Sequence, residues 1–208
     1  MKTKLKWNLV LVTVLAAVGW AGCDPKPSPS PSERVEALQR KEAAAFARLG
    51  SDTNRVVNEL EVYQLLVRAG VNNLTNRALG DRAWECPPER WFTGEYSMKL
   101  HEFFGRLNVS FRADTFDCDD FARGAAFYAQ VLHRGDAGRV KGTALAVGEL
   151  VYTAEQTPNG GPAGRHAINF AVVLGADGAK RLVFYEPQLR LPLTLSRREV
   201  ESITYWRL

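Results

Sequence analysis

A change in residue pattern near Gly142 constrains the fold of this chain more than any other feature of its sequence. Before it, apolar residues lie three and four positions apart among Ala, Glu and Arg, which is the period of an amphipathic helix. After it, β-branched and aromatic residues lie in short runs between turn residues, which is typical of strands. Helices followed by strands predict an α+β domain with a mostly antiparallel sheet.

The predicted elements follow from these two periods. The helices are expected at Glu33–Leu49, Thr53–Ala69, Tyr96–Arg106 and Phe116–His133. The strands are expected at Thr143–Ala154, Ala167–Leu174, Arg181–Tyr185 and Ile203–Trp206. Asp177 and Gly178 make a short turn, so the strands on either side of it are expected to form an antiparallel hairpin.

Residues 1–22 are predicted to be an export signal. Three lysines precede an apolar run over 9–18, and small residues lead to Cys23. The run is too short to cross a bilayer, which takes about 20 residues. The segment resembles a bacterial lipoprotein signal, which implies a lipid on Cys23 and a protein held at the cell membrane or outer membrane, facing the periplasm or cell exterior. Trp20 departs from that pattern, and ordinary signal cleavage or an uncleaved anchor are the alternatives.

Three further segments complete the predicted organisation. Residues 23–32 form a Pro/Ser spacer, residues 33–83 a helical segment, and residues 84–208 the main domain. The signal holds three of the 27 basic residues and none of the 23 acidic ones, so the rest of the chain is nearly neutral. Because a nucleic-acid-binding protein needs a basic face, nucleic acid is not expected as a partner.

Cys118 is the candidate nucleophile. It lies in the first turn of a predicted helix, where unpaired N–H groups and the helix dipole favour a thiolate. Such a thiol needs a base and a group that orients the base. His166 opens one strand of the predicted hairpin and Glu186 ends the other, so both are expected at the same end of the sheet. His101 and His133 are the other histidines, and His133 is expected to cap carbonyl groups at a helix end.

The order of these residues resembles that of papain-like and transglutaminase-like cysteine enzymes. The resemblance covers roughly residues 84–208 and is closest to the C-terminal protease domain of the fairy-ring mushroom agglutinin. The motifs that carry it are Asp117–Phe121, Gly164–Ala167 and Tyr185–Pro187. It implies a papain-like or transglutaminase-like fold, with N-terminal helices and a nucleophile helix packed on a mostly antiparallel sheet.

The resemblance also implies roles for individual residues. Cys118 would be the nucleophile, His166 the base and Glu186 the partner that orients His166. A divalent ion, calcium or manganese, would lie beside this triad. Asp120 matches a carboxylate that binds the metal, and Asp119 is its neighbour.

The function expected from these roles is that of an exported cysteine peptidase or amidase that works through an acyl-thioester. Its substrate would be a protein, a peptide or a peptidoglycan peptide. Transglutaminase-type acyl transfer, or a non-catalytic binding lipoprotein on the same scaffold, are the alternatives. Gln188 is expected to be an oxyanion donor, an amide that supports the triad, or part of a turn. A disulfide between Cys86 and Cys118 would leave no nucleophile.

Some segments around the site are open to two interpretations each. Trp84, Trp91 and Phe92 line either a substrate groove or the core. The stretch 156–164 is either a lid or a long hairpin loop, and the helical stretch 33–70 either belongs to the domain or covers its groove.

Overall fold

The computed structural model describes residue 33 and residues 54–112, 116–157 and 162–208. The export signal, Cys23, the Pro/Ser spacer and nearly all of the first predicted helix lie outside the described residues. Within the described part of the chain, no helix has the length and apolar character needed to cross a membrane.

The long helices precede Gly142 and the long strands follow it, as predicted, but three short strands before Gly142 and one short helix after it were not predicted. The elements are β1 (Val56–Asn58), α1 (Glu59–Ala69), β2 (Arg77–Ala78), β3 (Ala83–Glu85), a π-helical turn (Trp91–Tyr96), α2 (Ser97–Arg106), α3 (Cys118–Gly135), β4 (Ala144–Leu145), β5 (Val147–Ala154), β6 (Gly164–Leu174), β7 (Lys180–Glu186), β8 (Leu191–Leu193), α4 (Arg197–Glu201) and β9 (Tyr205–Arg207). The mixed α/β class is confirmed. The topology does not by itself confirm the finer papain-like or transglutaminase-like assignment.

A six-stranded sheet forms the centre of the domain, in the order β2-β9-β5-β6-β7-β8. All its neighbouring strands are antiparallel except β2 and β9. The predicted hairpin is present as β6 and β7, and its register pairs Asn169 with Tyr185. A smaller sheet, β1-β3-β4, lies beside it, and α3 packs against β5 and β6.

The two faces of β6 contribute to different apolar clusters. Ile168 and Phe170 belong to a cluster with α1 and Trp206, whereas Ala171 and Val173 belong to a cluster with α2 and α3. This alternation is the two-residue period of a strand buried on both faces. Phe92 is completely buried in the second cluster, so it does not line a groove.

The predicted helix Thr53–Ala69 begins later than expected, at Glu59. The β-branched pair Val56 and Val57 is fully buried and forms strand β1 against β3. Asn58 then caps α1: its side chain accepts a hydrogen bond from the Glu61 amide at 2.8 Å, and the Glu61 carboxylate accepts one from the Asn58 amide at 3.1 Å. This capping box sets the start of the helix.

A buried carboxylate, Glu85, joins the smaller sheet to the end of α3. Its Oε2 lies 3.0 Å from Nε2 of His133 and accepts a hydrogen bond of 2.7 Å from the Val140 amide, while Arg55 pairs with Oε1. The expectation that His133 caps carbonyl groups is therefore wrong. A buried charge is tolerated only when it is paired in this way.

Replacing Glu85 with Ala is expected to lower the free energy of unfolding by about 3 kcal/mol, because buried partners then lose their counterpart. The loss measured by urea denaturation in Glu85→Ala/His133→Ala should be smaller than the sum of the two single losses. Glu102→Ala, an exposed carboxylate in an i,i+4 pair, should change stability by less than about 0.5 kcal/mol. Equal losses from Glu85→Ala and Glu102→Ala would contradict this account.

Candidate functional site

The first turn of α3 is fixed by a capping box around Cys118. The Asp117 carboxylate accepts a hydrogen bond from the Asp119 amide at 3.1 Å, and the Asp120 carboxylate accepts one from the Asp117 amide at 3.4 Å. Cys118 is therefore the first residue of the helix, as the sequence predicts, and its side chain is half-buried.

His166 and Glu186 lie together at the open end of the β6–β7 hairpin. Nε2 of His166 is 2.7 Å from Oε2 of Glu186, and both side chains are buried. The backbone N–H of Gln188 donates to the other carboxylate oxygen, Oε1, at 2.9 Å. The Cys118 side chain interacts with the same imidazole and contributes to the shift of its pKa. The structure thus brings the three predicted residues into one chain of contacts.

The protonation of His166 results from opposing effects. Burial lowers the pKa of this imidazole, but hydrogen bonds with Cys118 and Glu186 and the charges of both groups outweigh burial and raise the pKa to about 9. His166 is therefore an imidazolium at neutral pH. A positive group beside a thiol stabilises the thiolate, which is the nucleophilic form of cysteine.

Asn169, which the sequence analysis did not single out, holds α3 against the sheet. Its amide nitrogen donates to the carbonyl oxygens of Ala122 in α3 and Gly148 in β5, at 2.8 and 2.9 Å. The side chain is completely buried, and its Oδ1 has no hydrogen-bond partner among the described residues. A lone amide in the apolar run of β6 is the sequence signal for such a role.

A cavity of about 560 Å³, here named the Cys118 cavity, opens beside the thiol. Its floor contains two cross-strand pairs of β5 and β9, in which Glu149 lies opposite Arg207 and Val151 lies opposite Tyr205. Its charged lining residues are Asp117, Asp119, Arg123, Glu149, Arg165 and Arg207. Burial raises the pKa of Glu149, while the charges of Arg123 and Arg207 oppose that rise. Sequence reasoning missed Arg207 because only the pairing of β9 with β5 places it here.

The expected metal site gains no support from the described residues. The Asp119 carboxylate lies 2.7 Å from the guanidinium of Arg123, and the Asp120 carboxylate completes the capping box. No group of three or more His, Cys, Asp or Glu side chains in the described ranges is arranged to hold a metal ion. A calcium or manganese ion at Asp119 and Asp120 stays a prediction.

Other predicted residues lie away from the thiol. Cys86 is buried in the core and, like Cys118, is a free thiol, so the two are not joined by a disulfide. His101 contacts Arg190, and Trp84 is buried but lines a second cavity. Residues 158–161 of the predicted lid lie outside the described residues.

Comparisons with known proteins show similarity at the level of fold. No protein family model and no curated protein matches the chain. Among solved structures, the chain is similar to a PSL1a–E64 complex, with a TM-score of 0.53 and 19% identity over 74% of this chain. It is also similar to Polyporus squamosus lectin bound to the human-type influenza-binding epitope Neu5Acα2-6Galβ1-4GlcNAc, with a TM-score of 0.54 and 18% identity over 74% of this chain. The chain spans about half of each, 51% and 50%.

These neighbours correct the family expected from the sequence. The chains that share this fold are lectin structures, so the predicted relation to papain-like enzymes and to the mushroom protease domain is wrong. The cysteine peptidase or amidase function drawn from that relation is wrong for the same reason. The three motifs specify how Cys118, His166 and Glu186 meet, and the structure has that geometry. Motifs this short do not specify what the surrounding cavity binds.

Cys118 is expected to react with iodoacetamide at pH 7 about tenfold faster than Cys86, or more, because it is only half-buried and lies beside the positive charge of His166, whereas Cys86 is buried in the core. Cys86 is an internal control, since burial raises its pKa to about 12. Mass spectrometry of the labelled peptides measures both rates in one sample. His166→Gln should slow the labelling of Cys118 and leave that of Cys86 unchanged. Equal rates at the two thiols would show that the contact with His166 does not activate Cys118.

Proposed function

We propose that this chain is an exported binding protein that takes a carbohydrate ligand in the Cys118 cavity. The observation that carries the proposal is the charged lining of that cavity, with three arginines and carboxylates around a volume of about 560 Å³. Ligand sites are typically clefts of roughly 300–1,000 Å³ with a few convergent polar groups. The lectin neighbours support the same class of ligand, and a carbohydrate replaces the protein, peptide or peptidoglycan-peptide partner expected from the sequence.

Saccharides and this cavity match in hydrogen-bonding chemistry. Sugar hydroxyls both donate and accept, so they suit carboxylates such as Asp119 and guanidinium groups such as Arg165. The ring of Tyr205 supplies an apolar face with a polar tip, on which a sugar ring packs.

The arginines favour a saccharide that carries a carboxylate. A guanidinium group binds a carboxylate through two parallel hydrogen bonds, and Arg165 and Arg207 are both exposed at the cavity. Two natural sources have this chemistry. One is a sialylated glycan, like the ligand named for the lectin neighbour, and the other is a bacterial cell-wall glycan whose muramic acid carries no peptide on its lactyl carboxylate.

The proposal includes a role for each of the residues around the Cys118 thiol. Cys118 is the nucleophile, His166 the base that takes the thiol proton and is left as the imidazolium, and Glu186 the group that orients His166, with the Gln188 amide supporting Glu186. These contacts support a reactive centre within the binding cavity. E64, which forms a complex with PSL1a, is therefore expected to bind this chain in the same cavity.

Loss of a cavity arginine tests the binding proposal. Arg165→Ala and Arg207→Ala are each expected to weaken binding of Neu5Acα2-6Galβ1-4GlcNAc or of a GlcNAc–MurNAc fragment about tenfold, since a hydrogen bond to a charged group contributes roughly 1.5–3 kcal/mol. Isothermal titration calorimetry on the full chain measures both ligands and so identifies the source. Arg106→Ala, which removes an exposed arginine outside the cavity, is the matched control and should bind like wild type.

Either of two results would contradict the binding proposal. One is wild-type protein that binds neither saccharide. The other is an affinity that falls as much in Arg106→Ala as in the two cavity variants, because the arginines of the cavity would then have no special role.

Attachment to a membrane through Cys23 is the second part of the proposal, supported by the lipoprotein-like segment that precedes this residue. Cys23→Ala is expected to move the protein from the membrane fraction to the soluble exported fraction and to remove the mass of the lipid. Ser28→Ala, in the adjacent spacer, should leave both unchanged. Fractionation with intact-mass measurement decides the question: wild-type protein whose mass contains no lipid would exclude a lipid anchor at this residue.

A further inference from the structure

A second cavity, of about 580 Å³, adjoins the Cys118 cavity along α3. Both cavities are lined by Arg123, Glu149 and Arg207, so the two cavities meet at these residues. We name the second one the Phe127 cavity, after an aromatic residue that lines this cavity but not the Cys118 cavity. Each cavity by itself has the volume of a ligand site.

Two of the three shared residues lie on the sheet, and the third, Arg123, lies on α3. Glu149 and Arg207 are cross-strand neighbours on β5 and β9, which makes them part of the rigid sheet. Arg123 projects from α3 above them, with its Nε 3.8 Å from the Glu149 carboxylate and with more than half of its side chain exposed. The same guanidinium is paired with the Asp119 carboxylate at 2.7 Å. A ligand that occupies both cavities therefore contacts Arg123 where the cavities meet.

Phe127 gives the second cavity a feature that suits a sugar ring. It lies one helical turn beyond Arg123 on α3, and its side chain is 65% exposed. A large exposed aromatic side chain on a cavity wall has no role in the core. Its flat face packs against the apolar face of a sugar, while charged Asp81 and Arg134 at the same cavity suit the hydroxyl groups.

Two hydrogen bonds join α3 to β4 at the Phe127 cavity. The Gln130 amide donates to the Leu145 carbonyl at 2.9 Å and accepts from the Leu145 amide at 2.8 Å. Trp84, although buried, lines the same cavity. These contacts fix the position of α3 beside the smaller sheet, so the part of the cavity at Gln130 is held by the fold itself.

We propose that the two cavities form one groove, in which an acidic oligosaccharide binds with its carboxylate-bearing unit in the Cys118 cavity and a following sugar on Phe127. This inference rests on the proposed carbohydrate-binding function and adds the length and direction of the ligand. In this groove the two residues have different roles. Phe127 contacts only a ligand of two or more units, whereas Arg165 lines only the Cys118 cavity and contacts the first unit.

The test compares ligand length with the side chain at position 127. Affinities of the full chain are measured by calorimetry for Neu5Ac, Neu5Acα2-6Gal and Neu5Acα2-6Galβ1-4GlcNAc, and in parallel for MurNAc and GlcNAc–MurNAc. Wild-type affinity should rise with length in the series that binds. Phe127→Leu should weaken the longest ligand roughly five- to tenfold, as expected when a stacked ring is lost, and leave the single sugar unaffected.

Two matched variants sharpen the comparison. Phe127→Trp keeps an aromatic face and should keep the dependence on length. Val131→Ala removes an exposed apolar side chain one turn along the same helix, outside both cavities, and should bind like wild type.

The failures of the two proposals are distinguishable. If wild type binds saccharides, but equally at every length or equally well in Phe127→Leu, the groove is wrong and the Cys118 cavity alone is the site. If wild type binds none of these saccharides, both the carbohydrate-binding function and the groove are wrong.

Discussion

The amide of Asn169 is the contact on which the site depends. It joins a carbonyl of α3 to a carbonyl of β5 from the strand between them, at a position completely closed to solvent. Cys118 begins α3 and His166 lies three residues before Asn169 on β6, so this side chain helps to hold together the two elements that carry the thiol and the imidazole. A buried polar group costs free energy unless it is hydrogen-bonded, so helix and sheet have a single favourable arrangement.

Local signals in the sequence predicted the parts of the site that depend on short-range geometry. Asp117 caps α3 and the turn at Asp177 and Gly178 closes the hairpin, so the positions of Cys118, His166 and Glu186 followed from caps, turns and strand period. The expected helix start at Thr53 was wrong. Val56 and Val57 are buried in a strand, and the cap at Asn58 starts the helix after them, although helical periodicity extends further back. Boundaries of this kind depend on a partner strand that periodicity does not reveal.

The parts that sequence reasoning missed depend on long-range register. Arg207 reaches the cavity because β9 pairs with β5 opposite Glu149, and Glu85 meets His133 because β3 lies beside the end of α3. Neither contact has a local signature. The function was mistaken for a related reason: three short motifs specify a cluster of thiol, imidazole and carboxylate, but the ligand is chosen by the surrounding side chains, which come from strands far apart in the chain.

The charge balance of the Cys118 cavity favours an anion despite the number of acids in it. Burial raises the pKa of Glu149, and a hydrogen bond with Asp119 together with burial raises that of Asp117. A hydrogen bond with Asp117 and the charge of Arg123 lower the pKa of Asp119. Three arginines and three carboxylates line the cavity, so their charges balance. His166, protonated at neutral pH, adds a further positive charge beside the thiol. A ligand carboxylate entering the cavity meets guanidinium groups that the protein has only partly paired, and this is the electrostatic condition for binding an acidic sugar rather than a neutral one.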